Sequence, residues 1–172
     1  MALFIRMYFT SLAFLSRIPI PFIWQIRGSD NFGSLPAYLW LAGLSLGLLY
    51  AGVAGLLSIY LPPSLAIACL CAWFCVLTGC FHEDGWADVA DAMGAYDPSK
   101  RYEIMRDSRL GTFGVSAIAV LFLIRYQAYY FFLMKDIGLL SSVLILTGAW
   151  SRWTSVILLA LMPYYRLPGK GI

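Results

Sequence analysis

Residues 82–114 read HEDGWADVADAMGAYDPSKRYEIMRDSRLGTFG. This stretch holds seven of the nine acidic residues in the 172-residue chain: Glu83, Asp84, Asp88, Asp91, Asp97, Glu103 and Asp107. It also holds four of the twelve basic ones, Lys100, Arg101, Arg106 and Arg109. Almost everything on either side is apolar. Hydrophobic residues make up 61% of the chain and charged residues 12%, and the mean hydropathy is +0.77. That composition belongs to the membrane class rather than to soluble domains. A polar island between apolar segments of bilayer length predicts an all-α, polytopic integral membrane protein forming one membrane domain over 1–172, with its chemistry gathered at one surface.

Within the island, Asp84, Asp88 and Asp91 stand at i, i+4 and i+7. At about 100° per residue they fall within roughly 60° of one another on a helix. Glu83 sits at the edge of that face, and His82 precedes it. Carboxylates crowded on one face repel, which costs helix stability unless a cation sits among them. Carboxylate oxygens are the ligands magnesium prefers, and magnesium usually shares its remaining positions with water and substrate phosphates. Glu83, Asp84, Asp88 and Asp91 are therefore the candidate Mg2+ ligands. Charge runs more commonly mark solvated faces. Here the intervening Ala87, Val89, Ala90 and Ala92 and the apolar segment just before the run favour a functional cluster.

The second half of the island is suited to phosphate. Asp97 and Pro98 form a helix start, N-cap followed by proline at the first helical position. The helix expected over 99–107 carries Lys100, Arg101 and Arg106, Arg109 follows it, and Gly111 is a candidate stop. Acids that hold a cation, followed by bases that hold phosphate oxygens, suit phosphoryl or nucleotidyl transfer. A salt-bridged surface helix, with Glu103 and Asp107 pairing to the arginines, is the alternative for any single base.

Working outward, residues 1–17 are apolar but interrupted by Arg6, and too short for a span. They read as an interfacial amphipathic or re-entrant helix ended by Pro19 and Pro21. Residues 25–34 form a polar linker. Four spans are expected, over 36–61, 64–81, 112–134 and 138–162. The first carries Gly43, Gly47, Ala51 and Gly55, a narrow groove that serves either packing against another helix of the chain, the preferred reading, or a homodimer seam. Arg125 and Arg152 fall inside spans, where a charge costs about 2.5–3.5 kcal/mol, so each must face protein, water or an interface. Tyrosines beside Arg125 suit an interior polar cavity. Cys69, Cys71, Cys75 and Cys80 lack paired spacing for zinc and read as small packing residues. A net charge of +3, mixed in sign, gives no footprint for nucleic acid. Basic residues gather on one side of the expected spans (Arg6, Arg17, Arg27, Lys100, Arg101, Arg106, Arg109, Arg166, Lys170), with Lys135 alone opposite. That asymmetry places the acidic block in the cytoplasm.

Three motifs carry a resemblance. His82-Glu83-Asp84-Gly85, with Ala87-Asp88, Ala90-Asp91 and Gly94, resembles the His-x-Asp-Gly-x-Ala-Asp-x-Ala-Asp signature of the cobalamin synthase family. The run from Glu103 to Arg109, with Gly111-Thr112-Phe113-Gly114, is similar to that family's second block. Phe14-Leu15-Ser16-Arg17-Ile18-Pro19-Ile20-Pro21 is similar to its Leu-Thr-Arg-Ile-Pro-x-Pro. The likeness extends from about Phe14 to Gly169. Cys80 departs from it, standing where the family pattern has glycine. The family pattern also continues with further membrane segments, which leads to the expectation of a C-terminally shortened chain lacking part of the substrate cavity.

The resemblance implies adenosylcobinamide-GDP ribazoletransferase activity in the bacterial cytoplasmic membrane. A hydroxyl of alpha-ribazole, or of its phosphate, attacks the cobinamide-linked phosphorus and GMP leaves. On that reading His82, Glu83, Asp84, Asp88 and Asp91 form the catalytic set, with the four acids on Mg2+ bridging the pyrophosphate. Lys100, Arg101, Arg106, Asp107, Ser108 and Arg109 form the substrate side, and the bases neutralise charge on departing GMP. His82 is either general base or a positively charged orienter. Two other readings use the same residues: a membrane phosphotransferase of CDP-alcohol type, and a cation-coupled transporter. The first lacks its Asp-Gly-x-x-Ala-Arg core here, since Ala87 is followed by Asp88. The second usually keeps its acids at membrane depth.

Overall fold

A computed structural model of the chain describes residues 3–26, 34–107 and 109–162. Among these residues all regular structure is helical: α1 (Leu3–Leu15), α2 (Pro36–Tyr60), α3 (Pro63–Thr78), α4 (Phe81–Met93), α5 (Arg101–Ile104), α6 (Thr112–Lys135) and α7 (Ile137–Leu161), with short 3-10 turns at Phe22–Trp24 and Pro98–Lys100. Prolines set two of the starts, Pro36 and Pro63 each lying in the first turn, where a missing N–H costs nothing.

The bundle is held by α2 lying antiparallel against α7, the most extensive helix pair. Small residues permit the approach. A methyl added to Gly43 would overlap the Gly148 carbonyl oxygen, and one on Gly47 would meet the Leu144 carbonyl oxygen at 2.7 Å. Trp40 on α2 and Trp153 on α7 meet edge-on at the end of the seam. The groove on α2 thus packs within the chain at Gly43 and Gly47, whereas Gly55 faces open space. Around this pair, Leu12 and Leu15 of α1, Leu46 and Tyr50 of α2, and Ile67 and Leu70 of α3 close the core. Tyr8 of α1 is hydrogen-bonded to Ser45 of α2 at 2.8 Å.

Among the described residues two helices, α2 and α6, are long and apolar enough to cross a membrane, and α3 with α4 would make a third only as a pair bent by 90°. The chain is accordingly a multi-pass membrane protein. The expected four spans are not all matched. At 16 residues α3 is about 24 Å long, short of a bilayer core of about 30 Å, and the chain turns sharply after it. The N-terminal helix also differs from expectation. Its inward face (Met7, Ser11, Leu12, Leu15) is buried, but Leu3, Phe4, Ile5 and Phe14 make its outward face apolar as well. The expected helix over 99–107 is instead a 3-10 turn and the single turn α5. Gly111 is the N-cap of α6 rather than a stop.

Replacing Gly47 by alanine should destabilise the bundle by about 1–3 kcal/mol, because the obstructing atoms are backbone. Gly55→Ala should instead stabilise α2 by roughly 0.5–1 kcal/mol. Denaturant unfolding in detergent micelles reads both, and equal effects would mean that the α2–α7 approach is looser than described.

Candidate active site

The site begins at the corner between α3 and α4. Gly79 has φ +65° and Cys80 φ +60°, so two successive residues take the left-handed conformation. The N–H groups of both are accepted by the Cys75 carbonyl oxygen, closing the helix end. Cys80 is the one non-glycine residue with positive φ among those described, a conformation that costs roughly 1–2 kcal/mol with a side chain. The glycine that the resemblance leads one to expect at this position would meet that backbone demand without strain. The Ser16-Arg17 motif docks on the same corner, the Arg17 N–H donating to the Leu77 carbonyl oxygen at 2.7 Å.

Turned by the corner, α4 distributes its acids in three directions. Asp84 and Asp88 line a cavity of about 370 Å³ together with Arg106, Asp107 and Arg109. This volume lies in the range of small-molecule sites. Asp107 forms a bidentate pair with Arg109, which donates from Nη2 to Oδ2 at 2.6 Å and from Nε to Oδ1 at 3.1 Å. The Arg109 side chain and backbone N–H together hold the Asp107 carboxyl below the ordinary carboxylate range. Asp91 lies elsewhere: its carboxylate accepts from the Gly111 N–H and the Gly114 N–H, both at 2.8 Å. It thereby caps the start of α6 from another helix, favoured by the positive end of the helix dipole. The bare α-carbons of Gly111 and Gly114 admit it, since a methyl on either would overlap the carboxylate.

Glu83 points inward. It is 3% exposed, and its Oε1 lies 2.8 Å from Arg125 Nη1. Arg125 is further held over the Phe74 ring at 4.2 Å. His82 is half-buried, edge-on to Phe81, with Nδ1 lacking a hydrogen-bond partner. Lys100 and Arg101 are exposed and do not line the cavity. Ser108 lies outside the described residues. Asp97 caps the 3-10 turn as expected, accepting from the Ser99 N–H at 2.9 Å.

The structure therefore brings Asp84 and Asp88 together with Arg106, Asp107 and Arg109, and leaves His82, Glu83, Asp91, Lys100 and Arg101 outside that cavity. Among the described residues no three of His, Cys, Asp or Glu converge as a closed metal cage. A family model described as cobalamin-5-phosphate synthase matches residues 7–172. The chain belongs to this family. It is 37% identical over 162 residues to an adenosylcobinamide-GDP ribazoletransferase of Synechocystis sp., covering 94% of the chain and 60% of the relative. A protein of the same description from Geotalea daltonii is 41% identical over 127 residues, 73% of the chain and 51% of the relative. One from Shewanella frigidimarina is 36% identical over 124 residues, 72% and 47%. The chain thus spans about half to three-fifths of the length of these relatives. No solved structure matches it.

Two features of the site were not evident from sequence spacing. Arg125 was marked by its depth in a span, but its partner Glu83 comes from a helix that only the right-angle corner brings inward. The capping role of Asp91 depends on α6 beginning at its side. If Asp91 is a cap, Asp91→Ala should cost about 1–2 kcal/mol, while Asp91→Asn, which keeps one acceptor oxygen, should cost less. Thermal unfolding and amide exchange of the first turn of α6 measure this, and indifference of that turn to both changes would dismiss the cap.

Proposed function

We propose that this chain carries the reaction centre for joining alpha-ribazole, or its phosphate, to adenosylcobinamide-GDP with release of GMP. The observation that carries the reading is the meeting of Asp84 and Asp88 with Arg106 and Arg109 around one cavity, in a chain of the cobalamin-5-phosphate synthase family. Relatives named as ribazoletransferases support the substrates. The attacking hydroxyl, the pyrophosphate and the leaving nucleotide need acceptors and cations on one wall, and α4 and the loop after α5 supply both.

A magnesium ion fits the donor set. Magnesium is usually held by one or two carboxylates plus substrate phosphates and water rather than by a full protein cage. Asp84 and Asp88 offer such a pair, facing a cavity with room for the rest. When bound it would supply Lewis-acid stabilisation of phosphoryl oxygens. Arg106 and Arg109 would bind and orient phosphate oxygens, and Asp107 would hold the Arg109 guanidinium in place. His82, on the inward side of α4, is retained as a positioning or proton-holding group. Glu83 and Asp91 would act through Arg125 and α6, fixing the helix that presents Asp84 and Asp88.

We further infer that α3 and α7 complete a four-span arrangement beside α2 and α6, in the cytoplasmic membrane of a bacterium. The cavity would then open to the cytoplasm, supported by Arg17, Lys100, Arg101, Arg106 and Arg109 on its side and Lys135 at the far end of α6. Impermeant thiol labelling of intact cells, on a cysteine-free background, should spare Tyr96→Cys and modify Lys135→Cys. The reverse pattern would overturn the orientation.

Asp88→Asn keeps the side-chain shape and removes one negative ligand. Magnesium-dependent GMP release should fall by about two orders of magnitude or more, and manganese binding followed by electron paramagnetic resonance should weaken in parallel. Glu103→Gln, exposed and outside the cavity, should change release less than about tenfold. Wild-type-like manganese binding and release in a well-inserted Asp88→Asn protein would end the reading.

A further inference from the structure

A second polar centre lies on the inward side of α4, inside the bundle. Arg152 of α7 is 8% exposed and Tyr50 of α2 is 4% exposed. Both line a cavity of about 160 Å³ between α2, α3, α6 and α7, with Phe74, Tyr129, Thr147 and Ser151. Arg152 donates from Nη1 to the Ser151 hydroxyl at 2.6 Å, but its Nε has no partner, nor does the Tyr50 hydroxyl. Among the described residues no carboxylate pairs with Arg152. The carboxylate near enough to share its field, Glu83, is in contact with Arg125.

A buried guanidinium without a counter-charge is among the least favourable arrangements a membrane bundle can hold. Here it coincides with an unbonded buried hydroxyl lining the same cavity, so two donors await one acceptor. We propose that this cavity is an anion site that takes the singly charged phosphodiester group of a ligand, with Arg152 and Tyr50 as its donors. The guanidinium fork matches phosphate oxygens. With Glu83 and Arg125 cancelling, one positive charge is left, which matches a diester rather than a monoester carrying nearly two charges. The volume is close to the roughly 150 Å³ that accepts a benzene-sized guest, enough for a phosphate group and not for a nucleotide. Thr147 and Ser151 are exposed at its lining, giving a hydroxyl-lined opening on the α7 side. The diester can come from a membrane phospholipid or from a soluble molecule. The site is distinct from the Asp84–Asp88 cavity and does not depend on the ribazole-transfer reading.

The test uses purified, delipidated protein in a non-ionic detergent, with dimethyl phosphate as soluble diester, methyl phosphate as monoester and sodium chloride at matched ionic strength. A parallel sample is exchanged into phosphatidylglycerol micelles and weighed by native mass spectrometry. Dimethyl phosphate should raise the melting temperature above chloride and methyl phosphate if the soluble source is right. One phosphatidylglycerol per chain should survive detergent washing if the lipid is. Arg152→Gln should abolish whichever signal appears. Tyr50→Phe removes a hydroxyl that has no partner, so the unliganded protein should melt no lower, while its affinity for the probe falls roughly three- to tenfold. If Arg152→Gln fails to fold, Tyr50→Phe decides alone. The site is overturned if neither probe binds, if chloride stabilises as well as dimethyl phosphate, or if the folded variants keep wild-type binding.

Discussion

The right angle between α3 and α4 is the constraint on which the arrangement depends. A continuous helix would carry residues 81–93 onward along the axis of α3, with their carboxylates leaving the bundle together. Two left-handed residues, Gly79 and Cys80, end α3 and restart the helix across its end. The chain accepts a side chain in a strained conformation at Cys80 to do so, with the Cys75 carbonyl oxygen receiving both N–H groups. The corner is braced by Arg17, whose backbone N–H reaches Leu77. Two sequence motifs far apart in the chain, the one at Ser16-Arg17 and the one that opens at His82, therefore meet at one turn.

Once α4 lies across the bundle, its helical period sorts residues that are neighbours in sequence. Glu83 and Asp84 are adjacent, yet about 100° apart around the helix. One is buried beside Arg125 and the other lines the outer cavity. The buried pair fixes how α4 is rotated, since any roll that exposed Glu83 would leave Arg125 unpaired at membrane depth, a costly state. Asp91 fixes it a second time, two turns on, through the first turn of α6. With the inward and terminal acids both tied down, Asp84 and Asp88 are presented to the cavity by a helix that cannot easily turn.

Much of this was legible in the sequence. The helix boundaries over 36–60 and 112–135 follow from apolar runs bounded by proline, glycine and charge. The Asp97-Pro98 start is local chemistry, and Asp84 and Asp88 share a face because their spacing requires it. The division of the acids was not legible. A face of carboxylates reads as one cluster until it is known which helices pass on each side, and α6 and its arginine arrive some twenty to forty residues later. The glycine groove was likewise open between two partners, because small residues permit close approach without naming what approaches. Only the antiparallel register of α2 on α7 decides it. The 90° turn was missed for a related reason: Cys80 hid the glycine-like requirement that would have marked a helix break.

The charges around the outer cavity give the arrangement its chemical direction. Asp84, Asp88 and Asp107 face Arg106 and Arg109 there, which leaves the lining with one excess negative charge. Asp107 is already committed to Arg109, so the excess resides on the α4 pair. In that state the cavity attracts a cation and repels a pyrophosphate. A divalent ion on Asp84 and Asp88 would reverse the balance to one net positive charge, and the same arginines would then act with the ion on the phosphate oxygens rather than against the aspartates. Proposed metal binding and substrate binding are thus ordered by electrostatics alone. Glu83 and Asp91 matter to that order because, if either carboxylate turned towards the cavity, the excess would grow and a single divalent ion would no longer suffice to reverse it.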